Sequence, residues 1–190
     1  SSVAGREQNT ALTLTLKNRW GIEPWFASSA AQLGTLKNSY TEPKRMGVDR
    51  WLAMRAGQNH GCGRFAVVDA GSALTIDIVA ADGYHEGGNI IPGAALMERA
   101  LLLDTDRVRF EEHADYRLDP GKSTAEAVRH GVAVSQAGAV RLVLQHLDMT
   151  GTEVLFCGGG GQQLRDLSNL GGLWVPDLVF EGLELAAGDS

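Results

Sequence analysis

Phe65-Ala66-Val67-Val68-Asp69, Leu74-Thr75-Ile76-Asp77-Ile78-Val79-Ala80 and, past Asp82-Gly83, the run from Tyr84 to Ile91 decide the fold. The first run is apolar and ends in a carboxylate followed by the Gly71-Ser72 turn. The second alternates, with Leu74, Ile76 and Ile78 on one face and Thr75, Asp77 and Val79 on the other. Asp-Gly between two such runs is a hairpin signal. Gly87-Gly88 loosens the third run without removing its strand character. Three consecutive antiparallel strands are therefore expected.

Outward from this unit, helices and strands mix. On the N-terminal side, Ser1 to Gly5 read as the end of a strand and its turn. Residues 7–19 carry Leu12 and Leu16, with Trp20 beyond, at helical spacing. Trp25-Phe26-Ala27 reads as a short strand, 30–46 as mostly loop, and Asp49 to Gln58 as a helix. On the C-terminal side, Pro92 is expected in the first turn of a helix reaching Leu103. Ser123-Thr124-Ala125-Glu126 has the pattern of a capping box. It opens a helix to about Leu147, in which Gly131 and Gly138 predict close packing against another element. Val154-Leu155-Phe156 is a buried strand candidate that runs into Gly158 to Gly161, followed by a helix over 162–167. Leu173 to Asp177 reads as an edge strand, and Glu181 to Ala187 as a closing helix. The fold class is α/β with a mixed sheet, divided at 1–62 and 63–190.

A chain of 190 residues with 44% hydrophobic residues has enough apolar surface for a packed core. A net charge of −6 without a basic stripe argues against nucleic acid or an anionic membrane as partner. Cys62 and Cys157 stand in unrelated contexts. Two thiols in a reducing cytoplasm is the plainer reading, although one disulfide is possible. No apolar run is long enough to span a bilayer, and Ser1 to Gly5 lack signal-peptide features.

Several residues are candidates for chemistry, each with a plainer alternative. Asp69, at a strand end beside Gly71-Ser72, can hold a cation while turn N–H groups meet phosphate; an ordinary turn explains the pair equally well. Asp77 is expected on a solvated strand face rather than in a cleft. Asp49-Arg50, after Gly47, offers a general base and a carboxylate fork, or simply a helix cap. Gly158 to Gly161 allow close approach of a flat ring or a phosphate. They fit neither a Walker loop nor a dinucleotide fingerprint, and a flexible connector is the alternative. His60, His85, His113, His130 and His146 have no metal-ligand spacing and read as surface or satisfied residues. Ser135 lacks a hydrolase-elbow context.

Taken together, these stretches resemble the type III pantothenate kinases of the acetate and sugar kinase/actin superfamily. The resemblance rests on Asn38-Ser39-Tyr40 with Pro43, Gly47-Val48-Asp49-Arg50, Asp69-Ala70-Gly71-Ser72-Ala73 and Gly87-Gly88-Asn89-Ile90-Ile91-Pro92-Gly93. Gly121-Lys122-Ser123-Thr124 and Cys157-Gly158-Gly159 extend it to the C-terminal part. It implies a ribonuclease-H-like, actin-like kinase fold of two lobes. It also implies ATP-dependent phosphorylation of pantothenate, the first step toward coenzyme A.

The implied roles are specific. Asp49 is the base for the pantothenate hydroxyl, and Arg50 with the backbone of Gly47 and Val48 holds the carboxylate. Tyr40 packs on pantothenate, and Thr124 binds it, from a partner subunit if the protein is a homodimer. Asp69 ligates a monovalent cation, K+ or NH4+, with Mg2+ accompanying ATP. Ser72, where the family usually has Thr, contacts ATP phosphate, and Gly158 and Gly159 border the adenosine. A cytoplasmic homodimer is implied.

One family motif, Asp-x-Gly-Asn-Thr/Ser in a first phosphate loop, does not occur here. The expectation is an N-terminal lobe that is incomplete in this chain. Two other readings compete: a non-catalytic accessory factor for transcription from the same family, and a kinase of another small molecule on this fold.

Overall fold

The computed structural model describes residues 6–61, 63–105, 108–147 and 152–188. The expected strand end at Ser1 to Gly5, and Cys62 with it, lie outside the described residues. Helix α1 (Arg6–Trp20) comes first, followed by a two-residue ladder of β1 (Gln32–Leu33) and β2 (Leu36–Lys37) closed at Gly34. A single 3-10 turn at Pro43–Arg45 leads to α2 (Val48–His60). Next come β3 (Phe65–Ala70), β4 (Ala73–Val79), β5 (His85–Pro92) and α3 (Ala94–Asp104). The chain continues through α4 (Thr124–His146), β6 (Glu153–Cys157), α5 (Gly161–Ser168), β7 (Leu173–Trp174) and α6 (Leu178–Gly188).

The expected meander is present. In the five-stranded sheet the order is β5-β4-β3-β6-β7. β4 is antiparallel to β3 and to β5, whereas β6 runs parallel to β3 and β7 parallel to β6. A three-strand meander extended by parallel strands on its first member is the ribonuclease-H-like, actin-like arrangement. At the β4–β5 turn the Asp82 carboxylate accepts from Tyr84 N–H at 3.1 Å, and Gly83 takes a positive φ of 84°.

Strand alternation distributes the core over both sheet faces. Phe65, Val67, Val79, Leu155 and Cys157 pack with Trp51 and Met54 of α2 and Leu178 of α6. Ala66, Val68, Leu74, Ile76, Ile78, Val154 and Phe156 pack with Ala137, Val140 and Leu144 of α4 and Leu164 of α5. Asp69 and Asp77 share parity with Val67 and Val79, so both belong to the α2 side of the sheet. That assignment builds the site.

Four local expectations are corrected. Trp25-Phe26-Ala27 forms no strand: Ala27 packs against Val48, Leu52 and Ala186 instead of joining a ladder. Pro92 ends β5 rather than opening α3, whose N-cap is Gly93. A Cβ on Gly93 would press on the Ser72 and Gly71 carbonyls, so the helix starts where its backbone closes on the β3–β4 turn. Gly131 and Gly138 face open space, not a packed element. The expected edge strand is only two residues long, Leu173–Trp174. Ser123 caps α4 by accepting from Glu126 N–H at 3.2 Å, while the Glu126 carboxylate takes the N–H of Lys122 at 2.6 Å. The cap is thus a capping box displaced by one residue. No helix among the described residues is long and apolar enough to cross a membrane.

Candidate active site

Three elements meet on the α2 side of the sheet: the first turn of α2, the end of β3 and the middle of β4. Asp49, half-buried, folds back so that its Oδ1 accepts from Arg50 N–H at 2.8 Å. A Cβ on Gly47 would sit 2.6 Å from that oxygen. A side chain at Gly47 would therefore displace the carboxylate from its seat at the helix start, where it also faces the positive end of the helix dipole.

Arg50 points inward and is 4% exposed. Its Nε and Nη2 reach the two oxygens of Asp77 at 2.9 and 2.5 Å. Its Nη1 donates to the Tyr40 hydroxyl at 2.9 Å. Three of the five guanidinium N–H groups are thereby engaged among the described residues. The fork that the sequence offers to a ligand carboxylate is occupied by a carboxylate of the chain itself.

Asp77 is 1% exposed, which overturns the expected solvated face. Alternation gives its face correctly but cannot say that α2 will cover that face with an arginine. Burial alone would raise the Asp77 pKa. Hydrogen bonds from His85 and Arg50, together with their charge interactions, override it and hold the carboxyl below its ordinary range. Burial likewise works against the Arg50 charge, and the Asp77 bond and charge more than offset it. His85, fully buried, places Nε2 3.0 Å from Asp77 Oδ1 and Nδ1 2.8 Å from Ser39 Oγ. Gly88 lies opposite Asp77 in the β4–β5 register. A Cβ there would collide with Asp77 Oδ1 and stand 2.7 Å from Arg50 Nη2. The second glycine of Gly87-Gly88 leaves the room that the ion pair occupies.

Asp69 closes the site at the carboxyl end of β3, beside Cys157 of parallel β6. Its pKa is raised, first by burial and then by the negative charges of Asp49 and Asp77. Burial, followed by the charges of Asp69, Asp49 and Asp77, pushes the Cys157 thiol far above its ordinary value, so it is no nucleophile. Gly158 has φ of 79°, and a Cβ on it would meet Asp69 Oδ1. Gly160 N–H donates to the Ala70 carbonyl at 2.9 Å, clipping the glycine loop to the end of β3. The Gly158→Ala variant is expected to lose roughly 1–3 kcal/mol of stability, the usual range for a strained backbone, read as a lower urea midpoint. An unchanged midpoint would contradict this close approach.

The remaining candidates fall in two places. Ser72 is exposed in the β3–β4 turn. A cavity of about 250 Å³ lies between that turn, the start of α3 and the glycine loop, lined by Gly71, Ala94, Tyr116, Gly160 and Gln163 among others. Its position outside the carboxyl ends of β3 and β6 is where open α/β sheets take ligands. Thr124 lies elsewhere, exposed at the first residue of α4. It lines an apolar groove of about 1000 Å³ between α3 and α4, whose lining includes none of Asp49, Arg50 or Asp69. Among the described residues no group of three His, Cys, Asp or Glu is placed to hold a metal ion. A cation at Asp69 would need further oxygens from backbone, water or substrate. His85 and Asp77 are the members that sequence reasoning missed. The available signal was Gly88, a glycine in mid-strand opposite an acid.

The chain is similar to known proteins along most of its length. A family model described as type III pantothenate kinase matches residues 1–146. A type III pantothenate kinase of Ectopseudomonas mendocina is 39% identical, over 97% of this chain and 77% of the relative. One of Pseudomonas aeruginosa is 37% identical with the same coverage. Among solved structures, a conserved Campylobacter jejuni protein assigned to the Baf family of transcriptional activators superposes with a TM-score of 0.60 at 27% identity. That match covers 94% of this chain and 78% of the other. On the family model and these relatives, the chain belongs to the type III pantothenate kinase family.

Proposed function

We propose that this protein phosphorylates pantothenate at the expense of ATP, giving 4'-phosphopantothenate, the first step of coenzyme A biosynthesis. The observation that carries the reading is the convergence of Asp49, Arg50 and Asp69 with the Gly158 loop at one end of the sheet. Phosphoryl transfer needs aligned reactants and neutralised charge more than covalent help from the protein. Asp49 takes the proton from the pantothenate hydroxyl as its oxygen attacks the γ-phosphorus and the bond to ADP breaks. Arg50, with the Gly47 and Val48 backbone, fixes the pantothenate carboxylate through the N–H groups that Asp77 and Tyr40 leave open. Tyr40 packs on the substrate. Ser72 and the β3–β4 turn face phosphate, and Gly158 and Gly159 border the adenosine.

Asp69 would hold a monovalent cation, K+ or NH4+, and this ion together with the Mg2+ accompanying ATP would supply positive charge to the phosphoryl transfer. The crowding of Asp69 by Asp49 and Asp77 favours a cation there. The same crowding gives a test. In cation-poor buffer at neutral pH, Asp69→Asn is expected to raise Tm by about 2–4 °C, the size that roughly 1 kcal/mol takes in such a chain, while turnover falls. A lower Tm would contradict the repulsion.

We also place the protein in the cytoplasm as a homodimer. α3 has no buried residue, Leu96 and Leu101 line the groove beside Thr124, and Gly131 and Gly138 leave room for close approach. In this arrangement Thr124 serves the partner's pantothenate. A concentration-independent monomer mass by light scattering would contradict it.

The deciding experiment is ATP-dependent phosphorylation of pantothenate by the gene product that carries this chain, in potassium and then sodium buffer. Potassium-stimulated turnover supports the reading. Preference for a sugar or acetate would favour another kinase, and no turnover the accessory-factor reading. That last reading is not favoured: an interaction protein has no physical need for Asp49, Arg50, Asp69 and Tyr40 together.

A further inference from the structure

The Arg50–Asp77 pair does not stand alone. Asp77 Oδ1 is shared between Arg50 Nη2 at 2.5 Å and His85 Nε2 at 3.0 Å, while Oδ2 takes Arg50 Nε at 2.9 Å. An ionised Asp77 only accepts, so His85 Nε2 carries a hydrogen. On its other side His85 Nδ1 meets Ser39 Oγ at 2.8 Å. Ser39 neighbours Tyr40, whose hydroxyl takes Arg50 Nη1 and whose ring lies 6.2 Å from that of His85, centroid to centroid. The result is a closed circuit, Ser39–His85–Asp77–Arg50–Tyr40, in which His85, Asp77 and Arg50 are almost wholly buried.

We propose that His85 and Asp77 are positioning residues for pantothenate binding: they fix the orientation of Arg50 and Tyr40, which meet the substrate. The inference rests on the reading of Asp49-Arg50 as the pantothenate site. Energetics favours a positioning role over a purely structural one. A buried ion pair is commonly no more stabilising than apolar residues of the same volume. What the circuit adds is a fixed direction. An arginine at a helix start has many rotamers, and three polar contacts on one guanidinium leave only one. Gly88 is part of this device, since any side chain there would push the pair out of line. Donors that grip the substrate carboxylate equally in the ground and transition states act on KM rather than on kcat.

The test compares His85→Leu, His85→Gln and Ser39→Ala in the gene product that carries this chain. Leu fills the space and removes both hydrogen bonds. Gln retains a donor toward Asp77 and an acceptor toward Ser39. His85→Leu is expected to raise the pantothenate KM about tenfold or more while the ATP KM stays within about threefold. His85→Gln is expected to recover most of the pantothenate KM even where its Tm stays low, which a purely structural role would not produce. Ser39→Ala, a mild change that keeps the core packed, is expected to raise the pantothenate KM roughly two- to fivefold; it decides the matter if His85→Leu does not fold. Flat pantothenate KM values, or equal increases for pantothenate and ATP, overturn the inference while leaving the kinase reading intact. An unsubstituted protein that phosphorylates no pantothenate overturns the kinase reading, and this inference falls with it.

Discussion

The Asp49→Asn variant should lose roughly 10²- to 10⁴-fold in kcat, the usual contribution of a positioned general base, and keep its fold. Asn retains the oxygen that accepts Arg50 N–H at 2.8 Å, so the start of α2 need not rearrange. What disappears is the negative charge and the ability to take a proton. The charge also interacts favourably with the N-terminus of α2, worth about 0.3–1 kcal/mol at an exposed helix end, and unfavourably with Asp69, so the two effects oppose and a Tm change of a few degrees at most is expected. The pantothenate KM should move little, because Arg50, Tyr40 and the Gly47 backbone are untouched. Steady-state kinetics with thermal melts would separate these effects. Turnover close to that of the unsubstituted protein would remove Asp49 from the role of base.

Much of this was legible in the sequence because it is local. The Phe65–Asp69 and Leu74–Ala80 runs gave themselves away by period and by the Asp82-Gly83 turn, and β3, β4 and β5 formed in that order. Ser123 announced α4, and its cap exists with a one-residue displacement. The failures share a cause. Whether Asp77 is wet or buried depends on which helix covers its face, and the arginine that helix brings to it is 27 residues earlier in the chain. Trp25-Phe26-Ala27 has strand propensity, but no strand edge is paired with it, and Ala27 packs on α2 and α6 instead. Gly131 and Gly138 suggest close packing by their lack of a side chain, yet a Cβ on either would meet nothing within 4 Å, because which faces of a helix are covered is a tertiary matter. The candidate site is half legible: Asp49, Arg50 and Asp69 stand out by motif and turn chemistry. His85 is a satisfied histidine, but its place in the site is not legible, because its partners Asp77 and Ser39 are brought to it only by the β4–β5 register and the 30–46 loop.

Breaking the central ion pair should be the most damaging change to stability. Asp77→Ala leaves the Arg50 guanidinium buried without its counter-charge, a loss of about 3–5 kcal/mol. For a chain of this size that corresponds to a Tm lower by roughly 6–20 °C. The double variant Arg50→Met with Asp77→Leu should regain much of that stability, since no buried charge remains, while still failing to bind pantothenate. Acid titration should carry the same signature. Asp77 has a lowered folded-state pKa, so the stability it contributes is present above its ordinary value of 3.8 and is lost as pH falls through the folded value. Asp69 has the opposite sign: its pKa is raised, so its contribution is fully present below 3.8 and is lost as pH rises through its folded value. Acidification from neutrality should therefore first relieve Asp69 and only later break Asp77 from Arg50. In a series of melts against pH, Asp69→Asn should remove the upper effect, and the Arg50→Met/Asp77→Leu pair should remove the lower one. A double variant as unstable as Asp77→Ala would mean that the pair itself, and not the orphaned charge, stabilises the fold. The circuit through His85 would then be structural before it is functional.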